Sequence, residues 1–277
     1  MNPIKLFHTA PPIFMKELQP FQEFTFIEAA GALQHQEYLD YLLRLKALRP
    51  ELFSIMDNSV YLNNEPLPTK DFMKVYEQLL PSCVIAPDFP YDLPNTITAT
   101  DSFVKEYTGK IDARIMGVPQ GNSYAEYMTC FMRLLDIPEI SIIGINMFMD
   151  WAHPSFKKMS KSERVQKMRT LVMQNVHDEV SRIQEADERQ LDIHLLGLVL
   201  GPEILYANKY NLDTIVSCDS SSAFMHGYNL IRYTRKGLQE KLWDKKLDFS
   251  ISSVSPTQKI CIMHNVHMLG EFQSYNL

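Results

Sequence analysis

The chain has 277 residues, 45% of them hydrophobic, and a formal net charge of −6. That acidic balance excludes a histone-like or arm-like nucleic-acid binder, but not an enzyme that meets nucleic acid through a local basic face. Length and apolar content suit one domain, 1–277, with a substantial buried core, and a single α/β barrel commonly has about this length.

Short apolar runs follow one another along the chain. "FTFIEAA" from Phe24, "LFSIMD" from Leu52, "CVIAPD" from Cys83 and "ARIMGVPQG" from Ala113 come first. "ISIIGINMF" from Ile140, "DIHLLGLVL" from Asp192 and "DTIVSCDSS" from Asp213 follow. Runs so short and continuous predict strands buried on both faces, as in parallel sheets. An eighth strand is expected either in the N-terminal segment or in "KICIMHNV".

Segments of helical period lie between the runs. "TKDFMKVYEQLL" places Phe72, Val75, Tyr76 and Leu79 on one face, with Thr69 as its cap. "SYAEYMTCFMRLLDI" follows Ser123 as cap and repeats Tyr127, Cys130, Phe131 and Leu134. "GPEILYANKYN" opens with Pro202 near a helix start, where the absent N–H does no harm. Alternating strands and helices predict βαβ units, so the expected fold class is α/β, a (β/α)8 barrel of TIM type. The stretch from about 151 to 190 breaks the regular spacing and is expected to be a helical insertion.

Two zones concentrate positive charge. The first holds Lys157, Lys158, Lys161, Arg164, Lys167 and Arg169; the second holds Arg232, Arg235, Lys236, Lys241, Lys245 and Lys246. Together they suggest a phosphate-binding face, against the plainer alternative of solvated helix surface. Cys83, Cys130, Cys218 and Cys261 are scattered, with no CxxC pair, which reads as reduced thiols. The N-terminus lacks the apolar segment of a signal peptide and no run reaches the length of a membrane span. A cytoplasmic protein without a membrane partner is expected.

Asp57 in "FSIMDNS", Asp88 in "CVIAPDFPYD" and Asp219 in "IVSCDSSSAFMHG" each close an apolar run and lead into a polar turn. The ends of parallel barrel strands converge on one face, so these three acids are expected to line one mouth. A carboxylate at the edge of a dry core carries a desolvation penalty, which favours a functional role over a cap on the next helix.

The order of these turns resembles that of the tRNA-guanine transglycosylase superfamily, and most closely its branch that inserts 7-deazaguanine bases into phage or bacterial DNA. The resemblance runs from about Phe53 to Gly227. "MDNS" matches the family's "DSGG"-like turn and implies Asp57 as general acid/base. "APDFPYDLP" places Asp88 where the family reads the base edge, with Asp92 as the local rival. "GVPQG" implies Gln120 as a donor to the purine 6-oxo group, with Gly121 allowing close approach to the ligand. "IGIN" stands for the family's "GGL" turn, bringing Gly144 and the N–H of Ile145 to the base. "HLLGLVLGPEIL" matches a family strand and helix start, in which His194 is read as structural. "SCDSSSAFMHG" implies Asp219 as nucleophile; Asp213, before the strand, is the rival.

The resemblance implies an exchange of guanine in DNA for a free 7-deazaguanine base through a covalent aspartyl–sugar intermediate. The target base would leave the stack, at a cost of roughly a few kcal/mol. Lys157, Lys158, Lys161, Arg232, Arg235 and Lys236 are the expected phosphate contacts. The family's zinc motif, CxCxxC with a distant His, is missing. "CIMHNVH" offers Cys261, His264 and His267 but no fourth ligand, so no metal or other cofactor is expected. The alternatives are a tRNA-guanine transglycosylase and a non-catalytic nucleic-acid-binding barrel.

Overall fold

Eight strands run parallel with helices between them in a computed structural model that describes residues 3–151, 156, 158–187 and 189–274. The strands are β1 (Lys5–His8), β2 (Thr25–Glu28), β3 (Ser54–Asp57), β4 (Cys83–Ile85), β5 (Arg114–Gly117), β6 (Ile140–Ile145), β7 (Asp192–Leu195) and β8 (Ile215–Ser220). Their order in the sheet is β1-β8-β7-β6-β5-β4-β3-β2, so sequence neighbours pair from β2 to β8 and the last strand returns to pair with the first. This is the (β/α)8 barrel class that the alternating pattern predicts. The eighth strand is the N-terminal one. "KICIMHNV" lies instead within α11 (Pro256–Ser274), where Cys261, Ile262, Val266 and Leu269 are buried at helical spacing.

The chain divides into two compact units. One, Glu23–Gly144, holds β2 to β5 and most of β6. Its helices are α2 (Ala29–Gln34), α3 (Gln36–Leu48), α4 (Val60–Asn63), α5 (Thr69–Leu79), α6 (Leu93–Tyr107) and α7 (Tyr124–Leu135). Phe72, Val75, Tyr76 and Leu79 of α5 are buried, as are Tyr127, Cys130, Phe131 and Leu134 of α7. Each such large apolar side chain contributes roughly 1.5–3 kcal/mol on leaving water. Ser123 caps α7, its hydroxyl accepting the Glu126 N–H at 3.2 Å. The expected cap of α5 is corrected: Thr69 is already helical, and Pro68 holds the cap position without a side-chain bond.

The other unit comprises Met1–Gln22 and Ile145–Leu277. It contains β1, β7, β8, α1 (Pro12–Leu18), α8 (Lys161–Asp187), α9 (Pro202–Lys209), α10 (Ser222–Tyr228) and α11. The stretch expected as an insertion carries α8, the crossover from β6 to β7, which runs for 27 residues. Ser160 and Glu163 begin it with a reciprocal capping box: each accepts the other's backbone N–H, at 2.8 and 3.2 Å. All four cysteines are free and buried. Among the described residues no helix is long and apolar enough to cross a membrane.

Candidate functional site

In the unit that carries β8, Asp219 stands one residue before the strand's end and is 8% exposed. Its Oδ1 accepts the Gly197 N–H at 2.9 Å and lies 3.2 Å from Nε2 of His194. The opposite ring nitrogen, Nδ1, is 2.7 Å from Oγ of Ser217. If the hydroxyl donates to Nδ1, Nε2 carries the proton and donates to the carboxylate, so one neutral tautomer satisfies both contacts. Register makes this possible: His194 pairs with Ser217 across β7 and β8, and Ser217 and Asp219, two apart, share a face. Both bonds fall on Oδ1, and Oδ2 takes none among the described residues. His194, expected to be structural, therefore touches the candidate nucleophile. Asp213, the rival, is exposed and precedes β8.

Three further buried charges lie in this unit. Arg169 of α8 is fully buried and donates to the carbonyls of Ile145 at 2.8 Å, Leu196 at 3.0 Å and Gly197. Glu203 of α9 lies 3.6 Å from it and accepts the N–H groups of Val199, Leu200 and Gly201. Lys241 is buried and donates to the Leu198 carbonyl at 2.7 Å. Arg169 and Lys241 thus leave the basic zones to which the sequence assigned them.

The unit that carries β3 and β4 holds the other acids. Asp57 ends β3 in register with Glu28, which ends β2, so two acids stand side by side on one face of the sheet. Ser59, in the left-handed region at φ 65°, serves both: its N–H donates to Asp57 at 3.0 Å and its hydroxyl lies 3.5 Å from Glu28. Asp88, three residues past β4, is buried with both oxygens engaged. Asn58 donates to Oδ1 at 2.6 Å and Gln120 to Oδ2 at 2.5 Å. Burial pushes the Asp88 carboxyl up to about 6, against the lowering effect of those two amides. Asp92 is the helix cap of the group, accepting the Asn95 N–H at 3.0 Å.

The other residues expected at the base also have contacts within the protein. The Gln120 amide gives an N–H to Asp88 and its oxygen takes the Tyr91 N–H at 3.3 Å, so it braces the acid. α7 already requires a glycine at 121, since a Cβ there would lie 2.5 Å from the Tyr127 nitrogen. Gly144 and Ile145 lie inside β6, and the Ile145 carbonyl is taken by Arg169 and the Leu196 N–H.

Of the expected phosphate contacts, Lys158, Lys161, Arg232, Arg235 and Lys236 are exposed, while Lys157 lies outside the described residues. Lys161 sits 4.6 Å over the Trp243 ring, and Arg164 pairs with Asp150. The second zone is irregular chain with a turn closed by Thr234 and Gly237, not a helix face.

Cys261, His264 and His267 share α11 but bond apart. The thiol reaches the Ile231 carbonyl, His264 the Tyr233 carbonyl and His267 Glu271. Among the described residues no group of three or more His, Cys, Asp or Glu is placed to hold a metal.

The sequence rule that selects Asp57 also fits Glu28, whose strand end is masked by the apolar Ala29 and Ala30 that follow. The sequence marked Lys241 only as part of a basic zone and did not mark Asn58 or Glu203; their partners are remote in sequence or are backbone groups.

No protein-family model matches the chain. No curated protein matches it either. Among solved structures, a protein of Aquifex aeolicus VF5 is similar at 9% identity and TM-score 0.46, over 98% of this chain and 92% of that one. A candidate dehydratase of Mesorhizobium loti is similar at 13% identity and TM-score 0.42, over 79% and 55%. A candidate fructose-1,6-biphosphate aldolase of Coccidioides immitis is similar at 10% and TM-score 0.47, over 98% and 88%.

Proposed function

We propose that this protein is an enzyme, a base-exchange transglycosylase that replaces guanine in DNA with a free 7-deazaguanine base. The observation that carries the reading is the asymmetry of Asp219: Gly197 and His194 both hold Oδ1, and Oδ2 is left to react. Oδ2 attacks C1′ of the target nucleotide as the C1′–N9 bond breaks, and the electron pair of that bond leaves with guanine. Positive charge that builds on the sugar is stabilised by the carboxylate, and the covalent sugar ester then passes to N9 of the incoming base. Oδ1, gripped by two donors, keeps the carboxylate from turning.

Asp57 is assigned the proton transfers: it protonates the departing guanine and takes the proton from N9 of the incoming base. Asp88, braced by Asn58 and Gln120, is assigned the N1–H and 2-amino edge, which presents two donors to a carboxylate. The exposed Lys158, Lys161, Arg232, Arg235 and Lys236 are assigned to the DNA backbone. The missing zinc motif, a departure from the tRNA enzymes of that superfamily, favours DNA over tRNA.

The test is exchange of radiolabelled guanine into duplex DNA and into tRNA, with Asp219→Ala as control. Incorporation into DNA alone, lost in the variant, is expected. Incorporation into tRNA alone would move the protein to the other branch of the superfamily, and incorporation into neither would end the reading.

A further inference from the structure

Four buried ionisable side chains, Arg169, Lys241, Asp219 and Glu203, share the backbone of the loop from β7 to α9, residues 196–201. Arg169 takes the carbonyls of Leu196 and Gly197, and Lys241 takes that of Leu198. Asp219 accepts the Gly197 N–H, and Glu203 accepts those of Val199, Leu200 and Gly201. Gly197 and Gly201 hold φ of 60° and 98°, a conformation that disfavours any side chain.

Lys241 differs from the other three in coming from irregular chain. Its own N–H is tied to the Ser162 hydroxyl at 2.9 Å, and Trp243 Nε1 donates to the same oxygen at 2.9 Å, so the segment is fastened to the start of α8. From there the side chain reaches inward, and Leu198 O and Ser222 Oγ, at 2.7 and 3.4 Å, are its acceptors among the described residues. A neutral donor would satisfy one carbonyl with far less desolvation than an ammonium. The charge therefore calls for a further role.

We propose, resting on the reading of Asp219 as nucleophile, that Lys241 is a positioning residue of that centre. By pinning the Leu198 carbonyl it keeps the neighbouring Gly197 N–H on Oδ1, and its positive charge attracts the carboxylate.

The charged and titratable groups facing the ammonium are Arg169 from α8, Glu203 from α9, Asp219 from β8 and His226 from α10. Burial, and then Arg169, lower the amine to about 8, against the opposing pull of Glu203 and Asp219. From about pH 8 to the ordinary value of 10.5 the folded chain binds fewer protons here than the unfolded chain. This group therefore makes the fold more stable as pH rises through that interval, while exchange that needs the ammonium declines. A merely structural lysine would not separate the two.

The experiment follows guanine exchange into DNA by the full chain from about pH 6 to pH 10, with unfolding measured in parallel. Wild type should lose kcat above about pH 8 without losing Lys241-dependent stability. Lys241→Arg, charged throughout, should keep exchange and remove that decline. Lys241→Met should lower kcat about tenfold or more at every pH, with KM for DNA little changed. A second readout needs no turnover: the Asp219 carboxyl, titrated by carbon NMR, should move upward in Lys241→Met and not in Lys241→Arg. Exchange with no alkaline decline, or a folded Lys241→Met with wild-type kcat and an unmoved Asp219, overturns the proposal and leaves the nucleophile standing. Absent exchange with a shifted Asp219 titration removes the transglycosylase reading and keeps the coupling; absence of both removes both.

Discussion

His194 Nε2 lies 3.2 Å from Oδ1 of Asp219, the same oxygen that receives the Gly197 N–H. A carboxylate held at one oxygen by two donors presents the other in a fixed direction, which is what an in-line attack on a sugar carbon needs.

His194→Ala should therefore act on the chemistry more than on binding. Losing one of two anchors lets the carboxylate rotate, and kcat for exchange should fall about 10- to 100-fold with KM for DNA little changed. His194→Asn, which can still place an N–H near Oδ1, should recover part of the rate. Steady-state kinetics with guanine exchange as readout checks this; equal losses in KM and kcat/KM at constant kcat would contradict it.

Asp88 gives a pH signature with a definite sign. Its folded value of about 6 lies above the ordinary 3.8, so the folded chain keeps a proton that the unfolded chain has lost. Stability from this group is present below about pH 4 and declines as pH rises toward 6, by on the order of 3 kcal/mol. Asp88→Asn should flatten that part of the curve in urea unfolding. It also turns one amide contact from Asn58 or Gln120 into donor against donor, a cost of roughly 1–3 kcal/mol. Calorimetry with a free 7-deazaguanine should show a matching loss of affinity. Unchanged affinity would take Asp88 out of base recognition.

Arg232, Arg235 and Lys236 are exposed, and replacing all three by Gln should weaken DNA binding without changing chemistry at saturating DNA. Each phosphate contact removed should reduce the slope of log affinity against log salt by about 0.9 for duplex DNA. An unchanged salt slope would assign the DNA path to other residues.

The strands were legible because burial on both faces leaves an uninterrupted apolar run, and seven runs carry β2 to β8. The choice for the eighth was open because "KICIMHNV" is apolar enough for either element; its helical spacing emerges only over the longer span of α11. Asp57, Asp88 and Asp219 were legible as acids that end or follow such runs. Their partners were not. His194 meets Asp219 through a register between β7 and β8 that no local pattern encodes. Arg169 sits among surface cations in the sequence, yet carbonyls at the ends of β6 and β7 draw it into the core. Charge counting cannot separate a solvated cation from one that neutralises backbone.

Intact-mass measurement of the protein after incubation with a guanine-containing DNA oligonucleotide tests the central claim most directly. The account predicts a denaturation-resistant species equal to protein plus DNA minus one guanine base, absent from Asp219→Ala and still formed by Asp213→Ala. A folded Asp219→Ala protein that forms the adduct, or exchanges guanine at the wild-type rate, would contradict it.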